Sequence, residues 1–251
     1  MRSQDFKRNT YFYTVHCCEI SVTLAQYFMK LPLILTKKNK WAVAWATFIA
    51  CYAAYYFTNH HPIFQEHLLP MTWVDEHTPF IPYTVFIYMS EYLYFVFIYM
   101  LMDNHDNTNK YLYSYLFLQY FSCAIFLFYP TTYPRVNYPV PTDLPQIVQD
   151  SWVWLRSQDA AGNCFPSLHV SSVYIAALSF KAENKPKLFW MFCIWSTLIS
   201  LSTLTTKQHY VYDIVAGMAL SVVFYYAFMV KQEYVRVWGN EPAPTPQEAQ
   251  T

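Results

Sequence analysis

The stretch Phe165–Phe180, FPSLHVSSVYIAALSF, combines an apolar run with a proline, a serine and a histidine at its start. Its length is close to the roughly 17 to 25 residues with which a helix crosses a bilayer. Proline is favoured at the first position of a helix, where its missing N–H leaves no bond broken. We therefore predict a membrane helix that begins at Pro166 and carries polar residues in its first turn. The capping residue would be Asn163, Cys164 or Phe165.

The composition of the whole chain is typical of a polytopic membrane protein. Of 251 residues, 55% are hydrophobic and 21% aromatic, whereas only 13% are charged. Apolar segments of membrane-crossing length recur between short polar turns. The predicted fold is an all-α helical bundle in the membrane. Its six spans are Trp41–Phe57, Phe80–Met102, Tyr111–Tyr129, Phe165–Phe180, Leu188–Thr205 and Val211–Val230.

The two ends of the chain are predicted to lie outside this bundle, which occupies residues 41–231. Residues 1–40 are a cytoplasmic or interfacial segment, since the apolar Tyr11–Leu35 is interrupted by polar residues and is typical of an amphipathic surface helix. We expect no cleaved signal peptide, because the first basic residues are followed by polar and aromatic residues. Residues 232–251 are a cytoplasmic tail, predicted to be disordered where proline is frequent from Glu241 onward.

Lysine and arginine residues are distributed unevenly over the predicted loops. Loops rich in them stay in the cytoplasm, and a cytoplasmic N-terminus leaves only three of the 16 basic residues on the outer side. The first outer loop, residues 58–79, contains none. Both termini are therefore predicted to be cytoplasmic. The three outer basic residues are Arg135, Arg156 and Lys207.

These three residues lie in the same loops as two histidines and an aspartate. Such a set of cations at one membrane face suits a phosphate group, so the predicted site faces the periplasm, the exterior or a lumen. The alternative for each residue is that it only reaches the interface from the end of a span. That alternative does not account for the coincidence with the histidines.

Two side-chain pairs supply the predicted chemistry. Ser167 and His169 lie in the first turn of a helix, where free N–H groups and the helix dipole favour an anion, and histidine transfers protons near neutral pH. His209 and Asp213 are four residues apart, so on a helix the carboxylate can orient one ring nitrogen and leave the other as a nucleophile. The structural alternatives are a helix cap and a polar pair at the start of the sixth span.

From Trp73 to Gly217 the sequence resembles the type 2 phosphatidic acid phosphatase superfamily, and within it the branch of inositol phosphorylceramide synthases and related lipid phosphotransferases. The motifs YPR, PSLH and HYVYD, which end at Arg135, His169 and Asp213, resemble the three motifs of the superfamily in the same order. The fragments VDEHTPFIPYTVFIYMS and DAAGNCFPSLH also resemble this branch.

The resemblance implies a role for each motif residue. His209 would attack phosphorus and become a phosphohistidine, Asp213 would orient it, and His169 would protonate the departing oxygen. Arg135 and Ser167 would hold the phosphoryl oxygens. Water, or an alcohol on another molecule, would then take the phosphoryl group. No metal or other cofactor is expected, because the cations stabilise the charge that a metal would otherwise stabilise.

Two cations of the superfamily pattern are missing. Phe128 and Thr203 stand where many members have a lysine and an arginine, although Ser202 matches and could support the site. Lys207 and Arg156 are the candidates to replace the two cations. If neither reaches the phosphate, we expect slow turnover or loss of catalysis.

Other polar residues have weaker assignments. Glu91 lies within the second predicted span, where a carboxylate is costly; a structural role is favoured, and lining of a substrate cavity is the alternative. Asp159 and Asn163 are expected to shape the site from the preceding loop. No metal site is predicted, because the spacing of the outer histidines is not diagnostic. These histidines are His60, His61, His67 and His77.

The sequence thus predicts a membrane lipid-phosphate phosphatase. One alternative is a phosphotransferase that passes a phosphorylated head group to an alcohol, and another is a non-catalytic membrane protein with the same fold. The expected partners are a phosphorylated lipid and the bilayer, and no nucleic acid. The sequence does not distinguish water from an alcohol as the acceptor.

Overall fold

In the computed structural model, residues 30–236 are described, and residues 35–231 form one compact unit. This unit contains the helices α1 (Lys40–His60), α2 (Trp73–His77), α3 (Val85–Met89), α4 (Glu91–Leu101), α5 (His105–Phe128), α6 (Gln146–Gln158), α7 (Leu168–Ala182), α8 (Pro186–Thr205) and α9 (Val211–Phe224), which a π-helical segment, Tyr225–Lys231, prolongs. Short 3-10 helices occupy Pro82–Thr84 and Arg135–Asn137.

Four described segments are long and apolar enough to cross a membrane. They correspond to the second, third, fifth and sixth predicted spans, so a mostly helical integral membrane protein is confirmed. Helix α1 has 21 residues but is less apolar, and α7 has only 15 residues. Six spans therefore stay a prediction. The four segments are Pro82–Leu101, His105–Phe128, Pro186–Thr205 and Val211–Lys231.

Helix α8 shows how the bundle presents apolar side chains outward. Trp190 and Ile194 are 64% and 61% exposed, and Leu198 is also exposed. Their four-residue spacing places them on one face of the helix. An apolar stripe of this kind is what contact with lipid tails requires, whereas water would disfavour it.

Helix α7 occupies the middle of the bundle, where it packs against α4, α5, α8 and α9. Its buried residues include small ones such as Ser171, Ala176 and Ala177. Small side chains allow neighbouring membrane helices to approach closely. Helix α7 is therefore enclosed by protein, which places the residues at its N-terminus inside the bundle.

The start of α7 differs from the prediction that Pro166 begins the helix. The helix begins at Leu168, and Ser167 is the N-cap, whose hydroxyl accepts a hydrogen bond from the Val170 N–H at 3.3 Å. Pro166 precedes the cap and follows a cis peptide bond. The serine satisfies one of the free N–H groups at the helix start, which a proline side chain cannot do.

The second predicted span is interrupted at Ser90, between α3 and α4. The Ser90 hydroxyl donates to the Ile87 carbonyl oxygen at 2.6 Å and accepts from the indole N–H of Trp195 at 2.8 Å. Serine hydroxyls that bond to the preceding turn commonly bend helices. Because of this interruption, Glu91 is the first residue of α4.

Residues next to the two ends form a second compact unit. In it, β1 (Leu31–Leu33) pairs in parallel with β2 (Tyr234–Arg236), and Lys30 lies 3.1 Å from Glu233. The predicted amphipathic helix is therefore wrong at its last residues, which are extended because they pair with another strand. Residues 11–29 and the tail from Glu241 lie outside the described residues.

Helix α9 crosses the start of α7 at Gly217. A Cβ at this position would lie 2.6 Å from the Ser167 carbonyl oxygen and 3.2 Å from the Val170 Cβ. Only glycine permits this approach, because a contact shorter than 3.0 Å with a backbone atom requires the helices to separate.

We predict that Gly217→Ala lowers the free energy of unfolding by about 1 to 3 kcal/mol, the usual cost of overpacking. The measurement is the thermal unfolding midpoint of the full chain in detergent. Ala219→Ser is the control, since it also adds one heavy atom to α9 but at an exposed position. Equal midpoints for the two variants would contradict the close contact.

Candidate active site

The start of α7 and the start of α9 are joined directly. The Ser167 N–H donates to the Asp213 carbonyl oxygen at 3.1 Å. The Nδ1 atom of His209 lies 3.1 Å from the Cys164 carbonyl oxygen and 3.3 Å from Asp213 Oδ2. The two predicted side-chain pairs, Ser167 with His169 and His209 with Asp213, are therefore neighbours in one site.

The contacts of His209 determine which ring nitrogen is available for chemistry. Both partners of Nδ1 are acceptors, so Nδ1 carries the hydrogen and Nε2 carries the lone pair. Nε2 makes no hydrogen bond within the described part of the chain, and the side chain is 6% exposed. Asp213 is itself held in place, because its Oδ2 also accepts the Tyr210 N–H at 2.8 Å in the capping box of α9.

His169 lies opposite His209, with 5.6 Å between the ring centroids. Its Nδ1 is 3.3 Å from the Tyr88 hydroxyl, and its Nε2 is 3.3 Å from Glu91 Oε2. The second contact is close but lacks hydrogen-bond geometry, since Glu91 Oε2 has no such partner among residues 30–236. Tyr88 is a site residue that the sequence analysis missed. A structural role was favoured for Glu91 from the sequence, but its carboxyl group lies beside the ring of His169.

Arg135 and Asp159 form the side of the site next to His209. Arg135 donates from Nε to the Tyr133 hydroxyl at 2.8 Å and from Nη2 to the Asp159 carbonyl oxygen at 2.7 Å. Asp159 Oδ1 accepts from the Tyr55 hydroxyl at 2.6 Å. Burial raises the pKa of Asp159, against the Tyr55 hydrogen bond and the positive charge of Arg135.

Arg156 and Lys207 both contact Tyr138. Arg156 donates from Nη2 to the Tyr138 carbonyl oxygen at 2.6 Å, and Lys207 Nζ lies 5.5 Å from the centre of the Tyr138 ring. Burial and the charge of Arg135 lower the pKa of Arg156. Burial lowers the pKa of Lys207, and Asp75 opposes this.

Acidic side chains compensate little of the positive charge on the three outer cations. Within residues 30–236, none of Arg135, Arg156 and Lys207 forms a salt bridge. The buried Nε of Arg156 also lacks a hydrogen-bond partner in this range. Cations that are buried, as Lys207 is, or partly buried, as Arg135 and Arg156 are, favour an anionic ligand when no carboxylate pairs with them, because isolated buried charge is costly.

The remaining predicted residues have structural contacts. Asn163 adopts a left-handed φ of 55° and donates to Thr58 Oγ1 at 2.9 Å, so it shapes the loop before Ser167. Ser202 donates to the Ile199 carbonyl oxygen at 2.6 Å, within its own helix.

Phe128 and Thr203, which stand at the positions of the two missing cations, have surroundings that do not suit a cation. Phe128 is 70% exposed at the end of α5. Thr203 is fully buried, and its carbonyl oxygen accepts the N–H groups of Gln208 and His209 at 3.0 Å and 3.3 Å. The Thr203 hydroxyl donates to the Ser200 carbonyl oxygen at 2.7 Å, and the Thr203 backbone supports the histidine loop.

Asp75 is a second residue that the sequence analysis missed. Its Oδ2 accepts from the N–H and hydroxyl of Thr72, its Oδ1 accepts the Val211 N–H at 2.9 Å, and its carbonyl oxygen accepts from Lys207 Nζ at 2.7 Å. One buried residue therefore joins α2, the lysine and the start of α9. The capping-box spacing of Thr72 and Asp75 was the available signal.

A cavity of about 110 Å³ adjoins the site between α1, α4, α5 and α7. His169, Glu91 and Asp159 line it, whereas His209 and Arg135 do not. Tyr52 and Tyr92 also line it and are 39% and 40% exposed, so the cavity wall includes surface residues of α1 and α4.

No cluster of three or more His, Cys, Asp or Glu residues that could hold a metal ion is present in the described range, 30–236. Three of the outer histidines instead stack on aromatic rings. The stacked pairs are His60 with Tyr56, His67 with Tyr129, and His77 with Trp73.

A family model described as the PAP2 superfamily matches residues 57–227. The matched range includes the three motifs, α2 and the cavity residues from α4 to α7. No curated protein and no solved structure gives a significant match.

We predict that Asp75→Asn lowers the free energy of unfolding by about 1 to 3 kcal/mol, because an amide N–H₂ replaces one of two accepting oxygens and leaves a buried donor unpaired. The thermal unfolding midpoint of the full chain in detergent measures this. Glu76→Gln is the matched control, because Glu76 is the exposed neighbour of Asp75. An equal effect of both variants would show that the contacts of Asp75 contribute nothing.

Proposed function

Because the chain belongs to the PAP2 superfamily, we propose that it is a membrane lipid-phosphate phosphatase that acts through a phosphohistidine at His209. Membership of this superfamily supports, in general terms, a lipid phosphate as the substrate and phosphoryl transfer as the reaction. The observation that carries the finer proposal is the orientation of His209, whose Nδ1 faces Asp213 and the Cys164 carbonyl while its ring faces His169.

In the first step, the lone pair of His209 Nε2 forms a bond to phosphorus, and the bond from phosphorus to the ester oxygen breaks. Protonated His169 gives its proton to that oxygen, so the lipid alcohol leaves neutral. The positive charge that develops on the His209 ring is stabilised by Asp213, which is fully buried and within 3.3 Å of Nδ1.

In the second step, neutral His169 takes a proton from water as the water oxygen attacks phosphorus. The bond from phosphorus to His209 breaks, and inorganic phosphate leaves. The arrangement is the same as in the first step with water in the place of the lipid alcohol, so one histidine serves as acid and then as base.

The phosphoryl oxygens would be held by Arg135 and by the first turn of α7, where the N–H groups after Ser167 and the helix dipole favour an anion. The Ser167 hydroxyl is within the same turn and is fully buried. Arg156 and Lys207 would supply the charge that Phe128 and Thr203 do not. Their shared contact with Tyr138 and their lack of salt bridges in the described range support this assignment.

The proposed site faces the side of the membrane opposite the cytoplasm, as the distribution of basic residues predicts. Residues 1–40 and 232–251 would then be cytoplasmic, flanking a six-span catalytic domain. This orientation places the phosphoryl group in the aqueous interface and the lipid tails in the bilayer.

A lipid phosphotransferase of the inositol phosphorylceramide synthase type is the second candidate. The cavity beside His169 favours it, because an alcohol held there would lie next to the base that deprotonates it. The acceptor would replace water in the second step, with the other residues unchanged.

We predict that a radiolabelled lipid phosphate leaves acid-labile label on wild-type protein and none on His209→Ala. The reason is that only a ring nitrogen at position 209 can form the phosphoramidate. His61→Ala is the control, because His61 is exposed in the first outer loop and should retain the label.

The absence of both label and phosphate release across a panel of lipid phosphates would exclude the two enzyme functions and leave a non-catalytic membrane protein. Candidate alcohols added to the active enzyme separate the other two cases. A new phosphorylated lipid would identify the transferase, and release of phosphate alone would identify the phosphatase.

We also predict that Arg156→Gln lowers kcat/KM by roughly ten- to a hundredfold, since charged hydrogen bonds contribute about 1.5 to 3 kcal/mol. The kcat/KM of Arg156→Lys should lie between that of Arg156→Gln and that of the wild type, because lysine keeps the charge but not the planar donors. Steady-state phosphate release measures the effect. Unchanged kcat/KM in Arg156→Gln would exclude the replacement of a missing cation by this residue.

A further inference from the structure

The hydroxyl of Tyr210 is a buried donor to which the proposed reaction gives no role. The side chain is 2% exposed, and its hydroxyl has no hydrogen-bond partner among residues 30–236. Buried polar groups are nearly always hydrogen-bonded, because their removal from water without a compensating bond is costly. A ligand that accepts a hydrogen bond from this hydroxyl would remove that cost.

The surroundings of Tyr210 place it in the candidate active site. Tyr210 follows His209 directly and is the N-cap of α9. Its ring packs against Tyr133 and Cys164. The Tyr133 hydroxyl accepts a hydrogen bond from Arg135, and the Cys164 carbonyl oxygen faces His209 Nδ1. The neighbours of the ring therefore contact both the proposed nucleophile and one of the proposed phosphate-binding cations.

The two cations that contact Tyr138 also have donors left for a ligand. The buried Nε of Arg156 has no hydrogen-bond partner in the described part of the chain. Lys207 is 4% exposed, and its Nζ donates to the Asp75 carbonyl oxygen at 2.7 Å. An ammonium group can donate more than one hydrogen bond. Lys207 can therefore keep its contact with Asp75 and bind an anion at the same time.

Tyr210 shares its electrostatic surroundings with these cations. Burial raises the pKa of the Tyr210 hydroxyl, and Tyr138, Cys164 and Asp75 add to the rise. Two of these neighbours, Tyr138 and Asp75, are the contacts of Lys207. The hydroxyl keeps its proton at neutral pH and is available as a donor in the same neighbourhood.

We infer that the Tyr210 hydroxyl donates a hydrogen bond to the phosphate group and, with Arg156 and Lys207, forms the donor set that replaces the two missing cations. This inference rests on the proposed function, because the phosphate of the substrate is the ligand. Phosphate oxygens accept hydrogen bonds from charged and neutral donors alike. A hydroxyl adds a directional bond to them without adding another buried charge.

The first test measures binding of inorganic phosphate to the full chain in detergent by thermal shift, against chloride of equal ionic strength. We expect phosphate to raise the unfolding midpoint of the wild type. Tyr210→Phe should weaken the apparent phosphate affinity by roughly tenfold, since it removes one hydrogen bond to a charged group.

Tyr99→Phe is the matched control for this test. The Tyr99 hydroxyl is also buried and also lacks a partner among residues 30–236. Tyr99 lies in α4, however, with its ring against Trp41, Phe95 and Tyr111. Tyr99→Phe should therefore bind phosphate as the wild type does.

The second test separates binding of phosphate from a structural role. In phosphate-free buffer, both variants should unfold at or above the wild-type midpoint, because each removes a buried hydroxyl that has no partner in the described range. With the lipid phosphate that the wild type turns over fastest, Tyr210→Phe should lower kcat/KM by roughly tenfold, whereas Tyr99→Phe should not. A midpoint of Tyr210→Phe below that of the wild type in phosphate-free buffer would overturn the inference.

The remaining outcomes are also decisive. Equal phosphate affinity of Tyr210→Phe and an active wild type would overturn the inference and leave the phosphatase function in place. This holds even if kcat falls, because the hydroxyl would then act on Asp213, whose buried Oδ1 also lacks a partner within residues 30–236. A wild-type midpoint that phosphate does not raise would overturn the inference as well. Tyr210-dependent phosphate binding without turnover of any lipid phosphate would support the donor and exclude the phosphatase function.

Discussion

The hydrogen bond from the Ser167 N–H to the Asp213 carbonyl oxygen joins the starts of α7 and α9, and the rest of the site depends on it. Gly217 permits the approach, because any side chain there would contact the Ser167 carbonyl oxygen. Once the two helix starts are together, His209 is placed between Asp213 and the Cys164 carbonyl. One close helix contact thereby brings the proposed nucleophile to the anion-binding turn.

Basic and acidic side chains border different parts of the site and meet where Arg135 contacts the Asp159 backbone. Arg135, Arg156 and Lys207 lie around residues 133–138 without salt bridges in the described range, whereas Glu91 and Asp159 lie at the cavity beside His169. His169 lines the cavity and faces His209, so it stands between the two regions.

The structure shows what occupies one position of a missing cation, and where a nearby lysine lies instead. Thr203 is buried, and its carbonyl oxygen supports the His209 loop. Lys207, with a φ of 56°, approaches instead from the loop itself and is held by the carbonyl oxygen of Asp75.

The sequence by itself determined the helical membrane character and the four spans with the strongest apolar runs, because hydropathy is a local property. It also predicted the pairing of His209 with Asp213, but for the wrong reason, since His209 precedes α9 and Asp213 lies in the first turn of that helix. It misplaced the start of α7 by two residues and the last residues of the predicted N-terminal helix, where a serine cap and strand pairing override local preference. Only the tertiary structure decided that Tyr88, Glu91 and Asp75 border the site. Their contacts join residues between 78 and 136 positions apart, and no local pattern encodes such contacts because they arise from how whole helices pack.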